Sequence, residues 1–208
     1  VVSQPDNLAA NAKIIADSST GENYLYLCNL NDGIRFSDAS RQSNGWASTA
    51  AQTNITLDFG ESKAFNRIDL YPHGSHVLTY GYGLPKAFAV QTSADGKVWT
   101  DVKTYDNFTA ESMAPPSLTL DEVVSARYLR LAVTESKDGY IAFAEIEVYN
   151  DDGTIPAPEY ALTDKSNVVV WQEGKNIARN KPVVASSAQS GAQYREWGWA
   201  IDFVNDGK

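Results

Sequence analysis

What most constrains this chain is an apolar alternation of period two that recurs, between turn residues, from Thr53 to Tyr149. TNITLDFG sets Ile55, Leu57 and Phe59 on one face, and FNRIDLYP continues with Phe65, Ile68 and Leu70 after a short irregularity. AFAVQTSADGKVWTDV reads as two strands around Asp95-Gly96, a dipeptide that favours hairpin turns. ARYLRLAVT alternates Leu129, Leu131 and Val133 with Arg130 and Ala132, and FAEIEVYN alternates Ile146 and Val148 with Glu145 and Glu147. A strand points successive side chains to opposite faces, whereas a helix needs an apolar stripe of period 3.6, and no segment here sustains one. Many short strands between turns predict an all-β sandwich or jelly roll.

The sequence also begins twice. Asn7-Leu8-Ala9 matches Asn176-Ile177-Ala178, Asn11 matches Asn180, and Ile14-Ile15-Ala16 matches Val183-Val184-Ala185. After a short insertion, LNDG (Leu30 to Gly33) matches VNDG (Val204 to Gly207). Self-similarity of long period means tandem units. NDDGTIPAPEY, from Asn150 to Tyr160, follows a strand-like run with Gly and Pro, as a linker does. The expected organisation is one complete module over 1–150, a linker over 151–175, and the N-terminal part of a second, truncated copy over 176–208. That last part has too few strands to bury a face alone. The chain is expected to be a fragment of a longer multimodular protein.

Composition narrows the partners. With 43% hydrophobic residues over 208 positions, the chain can build a sizeable core. Seventeen Lys and Arg against 26 Asp and Glu leave a net charge of −9, with no basic cluster. Nucleic acid and anionic membrane surfaces both require a basic footprint, so neither is an expected partner. No apolar run approaches the ~18 residues of a membrane-spanning helix. Cys28 stands alone, forms no intramolecular disulfide, and is expected to be a small buried apolar residue rather than a nucleophile.

NLAANAKIIADSS, LNDG, GWAS, ITLDFGESKAFNRIDLYP, AVQTSADGKVWTDV, ARYLRLAV and AEIEVY, in that order, resemble the coagulation factor 5/8 type C (discoidin-like) family. The resemblance spans roughly Leu8 to Tyr149 and resumes from Asn176 to the end. It implies an eight-stranded antiparallel jelly-roll sandwich of galactose-binding-like fold. In the bacterial branch it implies a non-catalytic carbohydrate-binding module, secreted, periplasmic or at the cell surface, that targets a larger glycan-degrading protein to its glycan. GYGLPKAFAVQTSADGKVWT is similar to copies that accompany rhamnosidase-like hydrolases. Vertebrate members usually bracket the domain with a disulfide and dock on lipid with basic support. One Cys and a charge of −9 favour the bacterial comparison.

The resemblance also implies a structural calcium ion, with Asp32 and Glu145 as carboxylates and Asn29, Ile34, Ser37 and Ala144 giving carbonyls or a hydroxyl. A hard cation taking about six to eight oxygens suits that donor mixture. Taken without the family, Asp32 reads as a turn residue and Glu145 as a solvent-facing strand residue. For sugar, the candidates are aromatic and imidazole-rich: Tyr24 and Tyr26 in ENYLYL, then His73, His76, Tyr80 and Tyr82 in YPHGSHVLTYGYG. Sugars present apolar C–H faces and a ring of hydroxyls, which proteins meet with aromatic faces and a few fixed polar groups. His73 is the first choice, with Arg67 and Lys137 as hydroxyl donors. The competing reading of each tyrosine is a packing residue with one wet end. Two histidines without a third ligand make a poor transition-metal site. Trp46 and Trp99 fall inside family motifs and are read as core, and the sequons at Asn54 and Asn107 are read as non-functional. Two other functions compete with the binding module. One is a structural spacer or adhesion domain without a sugar site. The other is a glycoside hydrolase, which needs two carboxyls about 5–10 Å apart across a groove.

Overall fold

The structure of the chain, a computed structural model, describes residues 6–21, 25–35, 45–73, 83–110 and 115–159. The chain divides into two compact units, Val1–Val168 and Val169–Lys208. Every described residue belongs to the first, so the expected second copy lies outside the described residues.

Seven strands are described: β1 (Lys13–Ala16), β2 (Trp46–Ala47), β3 (Thr53–Pro72), β4 (Pro85–Ser93), β5 (Thr100–Tyr105), β6 (Ser117–Ser136) and β7 (Ala142–Tyr149). They pair antiparallel in the order β2-β7-β3-β6-β4-β5, with β1 also on β3. The helical content among these residues is one short 3₁₀ turn, Leu27–Asn31. This is the expected all-β antiparallel sandwich. Eight strands are expected, and the connections at 36–44, 74–82 and 111–114 lie outside the described residues.

Two 20-residue strands build both layers. β3 pairs with β6 from Thr53↔Val133 to Asp58↔Tyr128, then the register shifts and pairing resumes at Lys63↔Ala126. Gly60 sits in that gap at φ 79°, its N–H donating to Asp58 Oδ1 at 2.8 Å. A side chain there would cost about 1–2 kcal/mol, and an irregularity of this kind bends a strand. The 53–58 half of β3 therefore joins β1, β6, β4 and β5, while its 67–72 half joins β7 and, through it, β2.

The alternation read from the sequence fills the space between the layers. Ile55, Leu57, Phe65, Ile68, Leu70, Leu129, Leu131, Val133, Ile146 and Val148 are all buried, together with Trp46, Phe88 and Phe143. Each fully buried large aliphatic or Phe side chain contributes roughly 1.5–3 kcal/mol by leaving water. Phe59 is only half-buried and packs at the edge of this core. The other face of β7 departs from expectation. All eight of its residues are buried, Glu145 and Glu147 included, because chain segments distant in sequence lie over it. Asn7 Oδ1 accepts from the Val148 N–H at 3.0 Å, and Leu8 N–H donates to Val148 O at 2.8 Å. Asn31 Nδ2 ties the N-terminal turn to the 3₁₀ segment through Ala9 O and Ala12 O. The motifs NLAANA, LNDG and AEIEV thus meet in space.

Candidate functional site

The covered face of β3 and β7 is polar. Arg67, Asp69 and Tyr71 on β3 stand opposite Tyr149, Glu147 and Glu145 on β7. Arg35, two residues beyond the LNDG turn, grips Glu147 with Nε–Oε1 at 2.7 Å and Nη2–Oε2 at 2.9 Å. The Tyr71 and Tyr149 hydroxyls donate to Glu147 Oε2 at 3.0 and 2.8 Å. The guanidinium also lies 5.2 Å from the Tyr71 ring centroid. Burial opposes the charge on Arg35, but the hydrogen bonds and charge of Glu147 outweigh it and hold the group firmly ionised. Burial and the same carboxylate push the Tyr149 phenol upward.

Arg67, expected as a hydroxyl donor, has its guanidinium engaged within the protein. Its Nε and Nη2 bind Asp69 at 2.9 and 2.8 Å, its Nη1 binds Asp151 and Ile155 O, and Nη2 also reaches Pro156 O at 2.8 Å. A guanidinium carries five N–H donors, so this set engages the whole fork. Residues 151–156, expected as the start of a linker, are therefore held against the sheet.

The remaining acid on this face is Glu145, fully buried. Its Oε1 accepts from the Gly33 N–H at 3.2 Å, and its Oε2 is buried without a hydrogen-bond partner among the described residues. Burial first, then the charges of Asp32 and Glu147, push Glu145 up to about 9. Burial raises Asp32 as well, against the pull of the Ile34 N–H on its Oδ1. Among the described residues, Arg35 and Arg67 are the cations here, against Asp32, Asp69, Glu145, Glu147 and Asp151. A covered face short of positive charge, with one carboxylate oxygen unpartnered, fits a bound cation. No group of three or more His, Cys, Asp or Glu able to hold a metal occurs among the described residues, so backbone carbonyls would complete the shell. Asn29 and Ile34 flank Asp32 on the same segment, and Ala144 precedes Glu145. The Asn29 amide is engaged with Gly45 O at 2.9 Å, and Ser37 lies outside the described residues.

The sugar candidates divide. His73 is not a loop-tip residue: it follows β3 directly, half-buried, with its ring against Gly45. A Cβ on Gly45, at φ 147°, would come within 2.7 Å of His73 Cδ2 and 2.8 Å of Phe143 O. Burial lowers the His73 pKa below its ordinary value. Tyr26 is 46% exposed at the head of the 3₁₀ turn, and its neighbour Leu25 bridges to Gly45, so the two candidates approach the same glycine. Tyr24, His76, Tyr80 and Tyr82 lie outside the described residues.

Lys137 stands elsewhere, on a cavity of about 310 Å³. Leu84, Pro85, Phe108 and Ala110 give its apolar lining, and Lys86, Asn107, Thr109 and Lys137 its polar lining. The approach to β4 with its first two residues, the turn after β5 and the turn after β6 supply these residues. The second is fixed from within, since Phe108 N–H donates to Lys86 O at 2.7 Å and its ring packs edge-on against Phe88 and Tyr105. Sequence reasoning missed Phe108 and Thr109. The available signal was a sequon lying between two strands, passed over as a chance tripeptide.

Two further expectations are corrected. Cys28 is exposed, because the 3₁₀ turn directs Leu30 rather than Cys28 into the core. Trp46 is core, its Nε1 donating to Ser19 Oγ at 3.0 Å, but Trp99 is only half-buried, with the Arg130 guanidinium 3.8 Å from its ring centroid.

Comparison with known proteins bears on the whole arrangement. No curated protein matches the chain by sequence. Among solved structures, CpGH89CBM32-5 from Clostridium perfringens, in complex with GalNAc-β-1,3-galactose, is similar at 20% identity and a TM-score of 0.56, covering 69% of this chain and 99% of that one. The family 32 carbohydrate-binding module of EndoD from Streptococcus pneumoniae aligns at 18% identity and a TM-score of 0.57, over 70% of this chain and 100% of that one. Chitosan-binding module 1, derived from a chitosanase/glucanase of Paenibacillus sp. IK-5, aligns at 23% identity and a TM-score of 0.53, over 69% and 98%. These likenesses establish the fold. The family model described as F5/8 type C domain matches residues 14–146, which include β2 to β6, most of β1, the LNDG turn and Glu145. The chain belongs to the F5/8 type C domain family.

Proposed function

We propose that the first unit is a non-catalytic carbohydrate-binding module that brings a larger secreted or surface glycan-degrading protein, of bacterial origin, to its glycan. The observation that carries this reading is the cavity lined by Leu84, Phe108 and Lys137. It combines an apolar floor, an aromatic ring and hydrogen-bonding groups on anchored loops, the combination that recognises a sugar ring. The sugars and chitosan named for similar solved modules add support. Exposed Tyr26 offers a further stacking face.

Calcium is proposed as a structural ion at Asp32 and Glu145, with carbonyls of the Asn29–Ile34 segment and of Ala144 as further donors. Its contribution there would be positive charge that compensates the excess of buried carboxylates. Arg35 orients this segment by clamping Glu147, two residues along β7 from Glu145. The second unit is proposed to be part of another copy, and two modules on one polymer would gain avidity over either alone.

A hydrolase is the weaker reading. Glu145 is fully buried beneath the Gly33 turn, whereas hydrolysis requires two carboxyls that flank an open groove. Glycan-array binding followed by calorimetry tests the proposal: the wild type should bind at least one glycan, and Phe108→Ala should weaken it. A chain that binds nothing would be a spacer, and one that releases sugar would be an enzyme.

A further inference from the structure

We infer that the cavity at Leu84, Phe108 and Lys137 selects saccharides carrying an anionic group, carboxylate or sulfate, over their neutral counterparts; this rests on the carbohydrate-binding reading above.

The argument begins with charge. The chain has 26 acidic residues against 17 Lys and Arg, yet both charged side chains among the described residues lining this cavity, Lys86 and Lys137, are cations. Glu135, Asp138 and Asp106 neighbour these segments, but none lines the cavity. Asp138 is turned to the backbone, accepting from the Gly83 N–H at 3.0 Å. Lys86 pairs with Glu135, and the two side chains are 42% and 53% exposed. An exposed pair of this kind is weak, so an anion held in the cavity competes for the ammonium at little cost.

The turn after β5 adds hydrogen-bonding groups. Asn107 is the one non-glycine residue with positive φ among the described residues, at 59°. Asn tolerates this left-handed turn conformation better than other non-glycine residues, and beside the anchored Phe108 its exposed side chain lines the cavity. A sugar ring seated on Leu84 and Phe108 would meet the Asn107 and Thr109 side chains with its hydroxyls and the two ammonium groups with its anionic substituent. A charge-assisted hydrogen bond is stronger than a neutral one, so a preference of about tenfold is expected.

The test is a glycan array of matched oligosaccharides that differ only in bearing a hydroxymethyl, a carboxylate or a sulfate, followed by calorimetry of the full chain with the best-bound set. The expected result is about tenfold tighter binding of an acidic member than of its neutral mate, shrinking with added salt. The carboxylate and sulfate arms identify which anion is preferred. The Lys86→Met/Lys137→Met double variant should bring the ratio to near one. Lys63→Met, remote from the cavity lining, should leave it unchanged, with circular dichroism reporting the fold of each. Neutral members bound as tightly as acidic ones, or a ratio that survives the double variant, would overturn the inference while leaving the carbohydrate reading intact. Binding of no member at all would remove both.

Discussion

Arg67→Met should be among the most destabilising single changes in the first unit. The Arg67 and Asp69 side chains are 7% and 2% exposed, and that of Asp151 is 16% exposed. The substitution removes two charge-assisted bonds to Asp69, one to Asp151, and two bonds that satisfy Ile155 O and Pro156 O. Two carboxylates are then left without their cation, and breaking a buried pair from one side costs about 3–5 kcal/mol. For a unit of 168 residues, each kcal/mol moves the melting temperature by roughly 2–4 °C, so a fall of roughly 6–20 °C is expected. Arg67→Lys should fall between the two, since an ammonium keeps the charge but loses the planar fork. Adding Asp69→Leu to Arg67→Met should recover part of the loss, because it removes one of the stranded charges. Urea denaturation and calorimetry measure these differences, and hydrogen exchange should show residues 151–156 losing protection in the Met variant. A melting temperature within 2 °C of wild type, with 151–156 still protected, would refute the clamp.

Glu145 should govern the response to pH and, at the proposed ion site, to calcium. Its folded pKa of about 9 stands above its ordinary value of 4.5, so the cation-free folded state holds a proton that the unfolded chain releases. Its stability contribution is complete below about pH 4.5 and declines as pH rises towards about 9. Glu145→Gln should flatten that decline. It should also abolish calcium stabilisation, which is about 2.7 kcal/mol at 100 times the dissociation constant. Wild-type melting curves identical with calcium and with chelator would rule out the ion. His73 works in the opposite sense. Its lowered pKa means its stability contribution is present above the ordinary value of 6.5 and is lost as pH falls through the folded one. His73→Asn should shrink the loss of melting temperature between pH 7 and 5, and an unchanged pH profile would count against the packing assigned to His73. Gly45→Ala should cost about 1–3 kcal/mol in urea denaturation, because its Cβ meets the His73 ring and the Phe143 carbonyl at once. Wild-type stability in that variant would mean the strand end yields freely.

Ile55, Leu57, Leu129, Leu131 and Val133 could be assigned to the core from the sequence because inward and outward residues alternate whatever the neighbouring strands do. The hairpin around Asp95-Gly96 was legible for a similar reason. The Asp95 carboxylate accepts from the Lys97 and Val98 N–H groups, so the turn is made by residues adjacent in sequence. Asp32 and Glu145 were found through the family resemblance, since periodicity alone assigns Glu145 to solvent. The packing of His73 and Arg67 was not legible because each meets residues far along the chain, whereas Cys28 was misread as buried because the 3₁₀ turn points Leu30 inward instead.

The sequence by itself determined the strand character of 53–149, the set of residues facing between the layers, and family membership, because local alternation and motif order are properties of neighbouring residues. Only the tertiary structure decided that the second face of β7 is covered, and so turned Glu145 from a surface acid into a buried carboxyl with an unpartnered oxygen. Only it placed Lys86, Phe108 and Lys137, from the start of β4 and the turns after β5 and β6, on one cavity. The physical reason is that burial and charge environment depend on what lies across space, and loops carry no periodic pattern that announces where they will land.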